Sequence, residues 1–258
     1  MRVVAGRSVQ AYHSANFFVY GSMMSSLRAL LLVCSLLVPG LAPAAESDPL
    51  ESINRPIFVF NDQLDRYLLK PVAEGYRFVL PDPAERGVSN FFDNLQDFNG
   101  TLNALLQWRL PEAARNGGRF LLNTSFGVLG LFDVATPMGV DRYRTDFGHT
   151  LARWGAPEGA YLVVPLFGPR TVRSGLGNIV DTYGSLETQV DDVRTRNTLY
   201  ALDIVDSRVR LLKAEELITG DRYIFIRDAY LQQRRALVTE GVVEDSFSDF
   251  ENGWEDDL

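Results

Sequence analysis

The chain has 258 residues, carries 33 Asp and Glu against 25 Lys and Arg, and holds one cysteine and two histidines. A net charge of −8 excludes nucleic acid as a ligand, because that binding rests on neutralising phosphates with Lys and Arg. The cysteine and histidine counts exclude a disulfide framework and a thiol- or histidine-rich metal site, and no nucleotide or other cofactor motif is present.

Residues 1–44 read as an exported leader. Arg28 supplies a positive start, Ala29–Val38 an apolar stretch, Pro39 and Gly40 a break, and Ala42-Pro43-Ala44 an A-x-A cleavage site. Met23 and Met24 stand where such a leader ordinarily begins, so residues 1–22 are an upstream extension. Cys34 lies inside the apolar stretch, but bulky Val33 precedes it where a lipid-accepting cysteine needs a small residue. The A-x-A site is the better cleavage point, and processing there leaves a cysteine-free chain with His149 as its one histidine.

Asp48-Pro49-Leu50-Glu51 reads as a helix start. Leu50, Ile53, Ile57, Phe60, Leu64 and Leu68 follow at helical spacing, with a kink or restart expected at Pro56. Pro71 opens a short helix that stops at Pro81. Asp82-Pro83-Ala84-Glu85 starts another, through Leu95, and a separate helix is expected from Asn99 to Trp108. Pro111 starts the next.

That helix leads into Phe120–Phe132, a run without a single charge. Phe120, Leu121, Leu122, Phe126, Val128, Leu129, Leu131 and Phe132 crowd around Asn123, Thr124 and Ser125. At about 1.5–3 kcal/mol for each large apolar side chain taken out of water, the run needs a dry environment. It is too short to cross a bilayer, which takes about 20 apolar residues. A helix buried on all sides and a helix lying within one leaflet both fit, and the pattern alone favours the core.

Beyond Asp133 a short helix is expected around Phe147–Trp154. Gly155–Gly168 reads as an extended loop in which Pro165 and Pro169 forbid a central strand. Helices are expected over Arg170–Asp181, Arg196–Ile218 and Asp221–Thr239. The remaining Gly241–Leu258 holds seven acidic side chains and no basic one, a solvated, disordered tail. The expected fold is mostly all-α, with one helical domain over residues 45–240.

No recognisable reaction chemistry emerges. Gly175-Leu176-Gly177 lacks the third glycine and the preceding strand of a phosphate loop, and reads as a helix-packing feature. Ser125 lacks the elbow of a serine hydrolase, and a triad could draw only on His149. An exported helical chain with a dense apolar segment and no catalytic set points towards binding or moving something apolar.

Asp48-Pro49-Leu50-Glu51, Ile53-Asn54-Arg55, Phe60-Asn61, Asp65 and Lys70-Pro71-Val72-Ala73 resemble the opening signature of the MlaA (VacJ) family. The likeness continues through Gly87-Val88-Ser89-Asn90-Phe91, Asn94-Leu95, Arg119-Phe120, Asn123-Thr124 and Gly127-Val128. It runs on through Gly130–Ala135, Asp146-Phe147-Gly148, Thr150-Leu151, Pro165-Leu166, Gly168-Pro169, Arg173, Tyr223 and Arg227–Tyr230. The resemblance implies a non-enzymatic outer-membrane component of phospholipid transport in Gram-negative bacteria. It implies a ring-like helical body in the inner leaflet, with amphipathic in-plane helices and an amphipathic central channel. Mislocalised phospholipid would leave the outer leaflet through that channel, with a trimeric porin and a soluble periplasmic lipid carrier as partners. On this reading the apolar side chains of 120–132 contact lipid, and Asn54, Phe60, Asn61 and Asn123 lie at a channel or gate. Cys34, Ala160 and Ser174 depart from the family pattern. The competing class is a structural adaptor that docks on porins without carrying lipid.

Overall fold

The computed structural model describes residues 48–239; the expected leader with Cys34 and the expected acidic tail Gly241–Leu258 lie outside the described residues. Helices dominate. Helix α1 (Glu51–Leu64) follows Asp48, whose carboxylate accepts the Leu50 N–H at 3.0 Å. It runs through Pro56 without ending there, and widens into a π turn over Asp65–Leu69 before α2 (Lys70–Val79). The irregularity thus falls just ahead of Pro71, which cannot donate the bond that would close a tighter turn.

Helix α3 (Asp82–Leu106) is one 25-residue element where two were expected. Nothing between Leu95 and Asn99 stops a helix, and Asn99 is not a cap; its carbonyl accepts the Asn103 side-chain amide at 3.1 Å. Helix α4 (Leu110–Ser125) turns back at Trp108 and packs along α3. Gly100 permits the approach, since a Cβ there would stand 2.5 Å from the Asn116 side chain.

Asp146 caps α5 (Phe147–Arg153), accepting the His149 N–H at 2.7 Å. The expected extended loop is instead a hairpin: β1 (Tyr161–Val164) pairs antiparallel with β2 (Gly168–Thr171), Tyr161 opposite Thr171 and Val163 opposite Pro169. Both strands are edges, so Pro169 is tolerated. A reciprocal Thr171–Ser174 capping box starts α6 (Val172–Gly184), Asp192 caps α7 (Val193–Leu211), and Asp221 caps α8 (Arg222–Val238). Helix α7 stops about two turns before its apolar pattern does at Ile218, and Ala214–Leu217 forms a separate 3-10 turn.

Helices α5 and α6 pack closely, α2 lies on α7, and the hairpin is held between α1 and α8. A small apolar centre gathers there, with Tyr161, Val163 and Tyr223 buried against Ile57, Phe58, Tyr230 and Leu231. Gly177 is the helix-packing residue its spacing suggests: a Cβ on it would lie 2.3 Å from the Gly148 backbone nitrogen.

Candidate lipid-facing surface and its polar core

The distribution of side chains is inverted relative to a water-soluble helical domain. Among the described residues, thirty large apolar side chains are exposed, while nine apolar residues are buried and four of those are alanines. Seventeen polar or charged residues are buried. Polar groups are ordinarily the ones left outside, and an exposed apolar surface on this scale marks an interaction surface. No helix among the described residues is long and apolar enough to cross a membrane.

The apolar run is where the inversion is sharpest, and the core helix favoured by its pattern is not what forms. Helix α4 ends at Ser125, and residues 126–132 fold back in tight turns. The Leu129 N–H reaches the Thr124 carbonyl, and the Gly130 N–H reaches that of Asn123. Val128 and Leu129 adopt φ of 54° and 59°, a left-handed conformation that costs a side-chain-bearing residue about 1–2 kcal/mol. Leu121, Phe126, Val128, Leu129, Leu131 and Phe132 are exposed, while Phe120 and Leu122 are half-buried, Phe120 against Phe98. The strained turn therefore presents apolar side chains outwards.

A connected series of charges, buried at Asp97, Arg119 and Asp206 and part-exposed elsewhere, anchors this turn. Asp206 accepts from Ser89 at 2.6 Å and pairs with Arg210, which pairs with Asp93 at 2.7 Å. Arg142 bridges Asp93 and Asp97 at 2.8 and 2.6 Å, and its guanidinium stays charged because those two carboxylates outweigh the cost of burial. Arg119 links Asp97 to Asp133 at 3.2 and 3.0 Å and donates to Thr136 and the Val140 carbonyl. Burial pushes the Asp133 carboxyl up, but the Thr136 hydroxyl and amide and the Arg119 guanidinium together hold it at about 2.

Side-chain amides bracket backbone at four places. Asn123 donates to Asp133 and accepts the Val134 and Ala135 N–H groups at 2.9 and 3.0 Å. Asn116 exchanges two bonds with Tyr143 in the same way. On α1, Asn54 donates to the Tyr161 carbonyl and accepts from the Val163 N–H, while Asn61 brackets Val164 and Leu166. Of the four positions expected at a channel or gate, Asn54 and Asn123 are buried, Asn61 is half-buried, and Phe60 is exposed beside them on α1. Asn54 and Asn61 come together on the hairpin; Asn123 serves the α4 turn instead.

The remaining candidates have structural surroundings. His149 is fully buried, its Nδ1 lies 3.1 Å from the Thr145 hydroxyl, and burial pulls its imidazole down to about 4. Ser174 caps α6 and meets the Tyr230 hydroxyl at 2.6 Å. Sequence reasoning missed the Asp93, Asp97, Arg119, Arg142, Asp206 and Arg210 series. Its signal is the helical spacing of Asn90, Asp93, Asp97 and Thr101, a polar stripe that reads as solvated unless another helix covers it.

The profile of the MlaA lipoprotein family matches residues 46–237. The chain belongs to the MlaA family. The intermembrane phospholipid transport system lipoprotein MlaA of Escherichia coli is 32% identical over 246 residues, covering 92% of this chain and 98% of that protein. Its namesake in Haemophilus influenzae is 32% identical over 207 residues, covering 78% and 82%. An uncharacterised protein of Rickettsia conorii reaches 38% over 198 residues, covering 74% and 78%. A solved structure described as the structural basis for maintenance of bacterial outer membrane lipid asymmetry matches with a TM-score of 0.67 and 33% identity, covering 75% of this chain and 100% of that one. Several residues that carry the MlaA resemblance hold the backbone or its neighbours here: Asn54 brackets the hairpin and Asn123 the turn, while Asn90 donates to the Leu131 carbonyl and Asn94 to the Thr124 hydroxyl.

Proposed function

We propose that this protein is the outer-membrane component of an intermembrane phospholipid transport system, seated in the inner leaflet on its periplasmic face. It takes mislocalised phospholipid from the outer leaflet through an amphipathic channel and hands it to a soluble periplasmic carrier, in association with a trimeric porin. The observation that carries this reading is the inversion: apolar side chains outside, hydrogen-bonded polar ones inside. The names of the Escherichia coli and Haemophilus influenzae relatives support it.

The physical problem explains why such a component is useful. A charged group at the bilayer centre costs about 2.5–3.5 kcal/mol or more, so a head group needs a polar path. Each exposed acyl CH₂ costs about 0.8 kcal/mol, so release requires a docked carrier rather than free diffusion. Direction comes from partners, since the chain carries no nucleotide-binding motif.

The test is expression in a Gram-negative host that lacks its own family member. Restored outer-leaflet asymmetry, together with phospholipid co-purifying with the protein in mild detergent, is the expected result. Porin association without bound phospholipid and without restored asymmetry would favour the adaptor reading and overturn this one. Release of free fatty acid would point to a hydrolase.

A further inference from the structure

Loop 156–158 lies on the first turn of α6 and carries an ion pair that does not close. Its flanking residues, Gly155 and Gly159, have φ of 89° and 72°, and a Cβ on Gly159 would stand 2.7 Å from Val172. The Arg173 N–H donates to the Glu158 carbonyl at 3.1 Å, which fixes the two residues side by side. Their side chains nevertheless stop at 3.9 Å, Nη2 to Oε1, whereas Arg142 and Arg208 hold carboxylates at 2.6 Å. Arg173 is only 9% exposed. Its Nη1 donates to the Ala156 carbonyl at 3.0 Å, but its Nε has no hydrogen-bond partner among the described residues, and neither has Glu158 Oε1. The other charges nearby do not complete the pair. Asp146 is held at both oxygens by Arg234, and Arg234 repels Arg173. Burial pulls the Arg173 guanidinium below the ordinary arginine range, and Glu158 offsets only part of that cost.

Two opposite charges thus stand adjacent, each with an unused bonding atom. A buried charge is tolerated when its partner bonds it fully, and this one does not. A simple anion would satisfy Arg173 and be repelled by Glu158; a simple cation would do the reverse. A zwitterion laid alongside the pair with its own dipole reversed satisfies both. We propose that Arg173 and Glu158 together bind a phosphoethanolamine head group, a phosphodiester joined to an ammonium through two carbons. The phosphate oxygens take the Nε–H and an Nη2–H of Arg173 in the two-bond fork to which a guanidinium is suited. The ammonium donates to Glu158 Oε1. Glu158, whose side chain is one-third exposed, is the entry side, and Arg173 is the buried end. The inference rests on the phospholipid-transport reading and adds a choice of head group to it.

The test titrates the full chain, in mild detergent, with dihexanoyl-phosphatidylethanolamine, dihexanoyl-phosphatidylglycerol, O-phosphoethanolamine and inorganic phosphate. The ethanolamine lipid is expected to bind about tenfold tighter than the glycerol lipid, the worth of one charge-assisted hydrogen bond. Glu158→Gln leaves the backbone tie to Arg173 in place and should abolish that difference. Arg173→Lys keeps the charge but loses the fork, and should weaken both lipids about tenfold; thermal melting of each variant reports whether it is folded. Tighter binding of the glycerol lipid or of inorganic phosphate would make this a plain anion site. An ethanolamine preference that survives in a folded Glu158→Gln variant would leave the pair no part in it. Either result overturns the proposal. So does binding of O-phosphoethanolamine without binding of the lipid, which assigns the site to a soluble phosphoamine. The two readings fail separately: restored outer-leaflet asymmetry without head-group discrimination refutes the site alone, whereas the absence of any co-purifying phospholipid refutes the transport reading and the site with it.

Discussion

Leu129→Asp separates membrane binding from folding. Leu129 is 65% exposed, so about two-thirds of a leucine's 1.5–3 kcal/mol, roughly 1–2 kcal/mol, is available to an outside apolar phase. An aspartate at hydrocarbon depth adds a cost of about 2.5–3.5 kcal/mol. Together these weaken partitioning by about 4–5 kcal/mol, on the order of a thousandfold. Folding should not follow. The position has φ of 59°, where Asp is better tolerated than a branched apolar residue, and an exposed substitution of this kind is worth within about 0.5 kcal/mol. Vesicle flotation and thermal melting of the same preparation read the two effects side by side. A variant that floats like the parent shows that the turn does not touch acyl chains. One that loses several kcal/mol of stability shows that Leu129 packs inside.

Three further outcomes follow from the interior. Asn123→Ala strands the Val134 and Ala135 N–H groups and should cost about 2–4 kcal/mol, lowering the melting temperature by about 5–15 °C in a domain of this size; a drop under 2 °C would refute the bracket. Gly177→Ala drives a methyl into the Gly148 backbone and should cost about 3 kcal/mol or more, whereas Gly175→Ala, whose nearest neighbour is 4.0 Å away, should be neutral or slightly stabilising in denaturant titration. His149 takes its proton near pH 6.5 when unfolded but only at about 4 when folded. Stability is therefore complete above pH 6.5 and lost as pH falls through that window, by about 3 kcal/mol. Asp203, raised by burial to about 6, works in the opposite sense. The difference between parent and His149→Gln isolates the imidazole, and parallel stability–pH curves would exclude its role.

Element existence was legible because it rests on periodicity and punctuation. Pro111, Pro81 and Gly220 stand where the chain does change course. Three misreadings share a cause. Pro56 and Pro71 were read locally, yet a helix can move its irregularity to an adjacent wide turn. Asn99 reads as the start of a separate helix, but on α3 it sits mid-helix. The hairpin was hidden because Pro169 argues against strands, and two-stranded edges escape that argument. Of the candidate site, the apolar half announces itself as the uncharged run 120–132, although its pattern alone favours the core and not the exposed turn that forms. The polar half does not announce itself. Asp97 and Arg119 become buried partners only once α3 lies on α4, and no spacing within one helix states which face another helix will cover.

The inversion also decides which substitutions the fold tolerates. In water, an exposed leucine is dispensable and a buried one is not. Here the interior is joined by directional bonds, so Asp97, Arg119, Asp133 and Asn123 are each fixed in identity as well as size: shortening one leaves a charge or an N–H unpaired in a dry place. The outer apolar positions are joined to nothing, so Leu121, Phe126 or Phe132 should exchange with other large apolar residues at little cost to folding. An even-handed scan of both sets should therefore find stability concentrated in the polar residues and membrane affinity in the apolar ones. A water-soluble helical domain would place stability in its apolar set. The assignment of the bilayer as this fold's outer solvent rests on those two sensitivities falling on different residues.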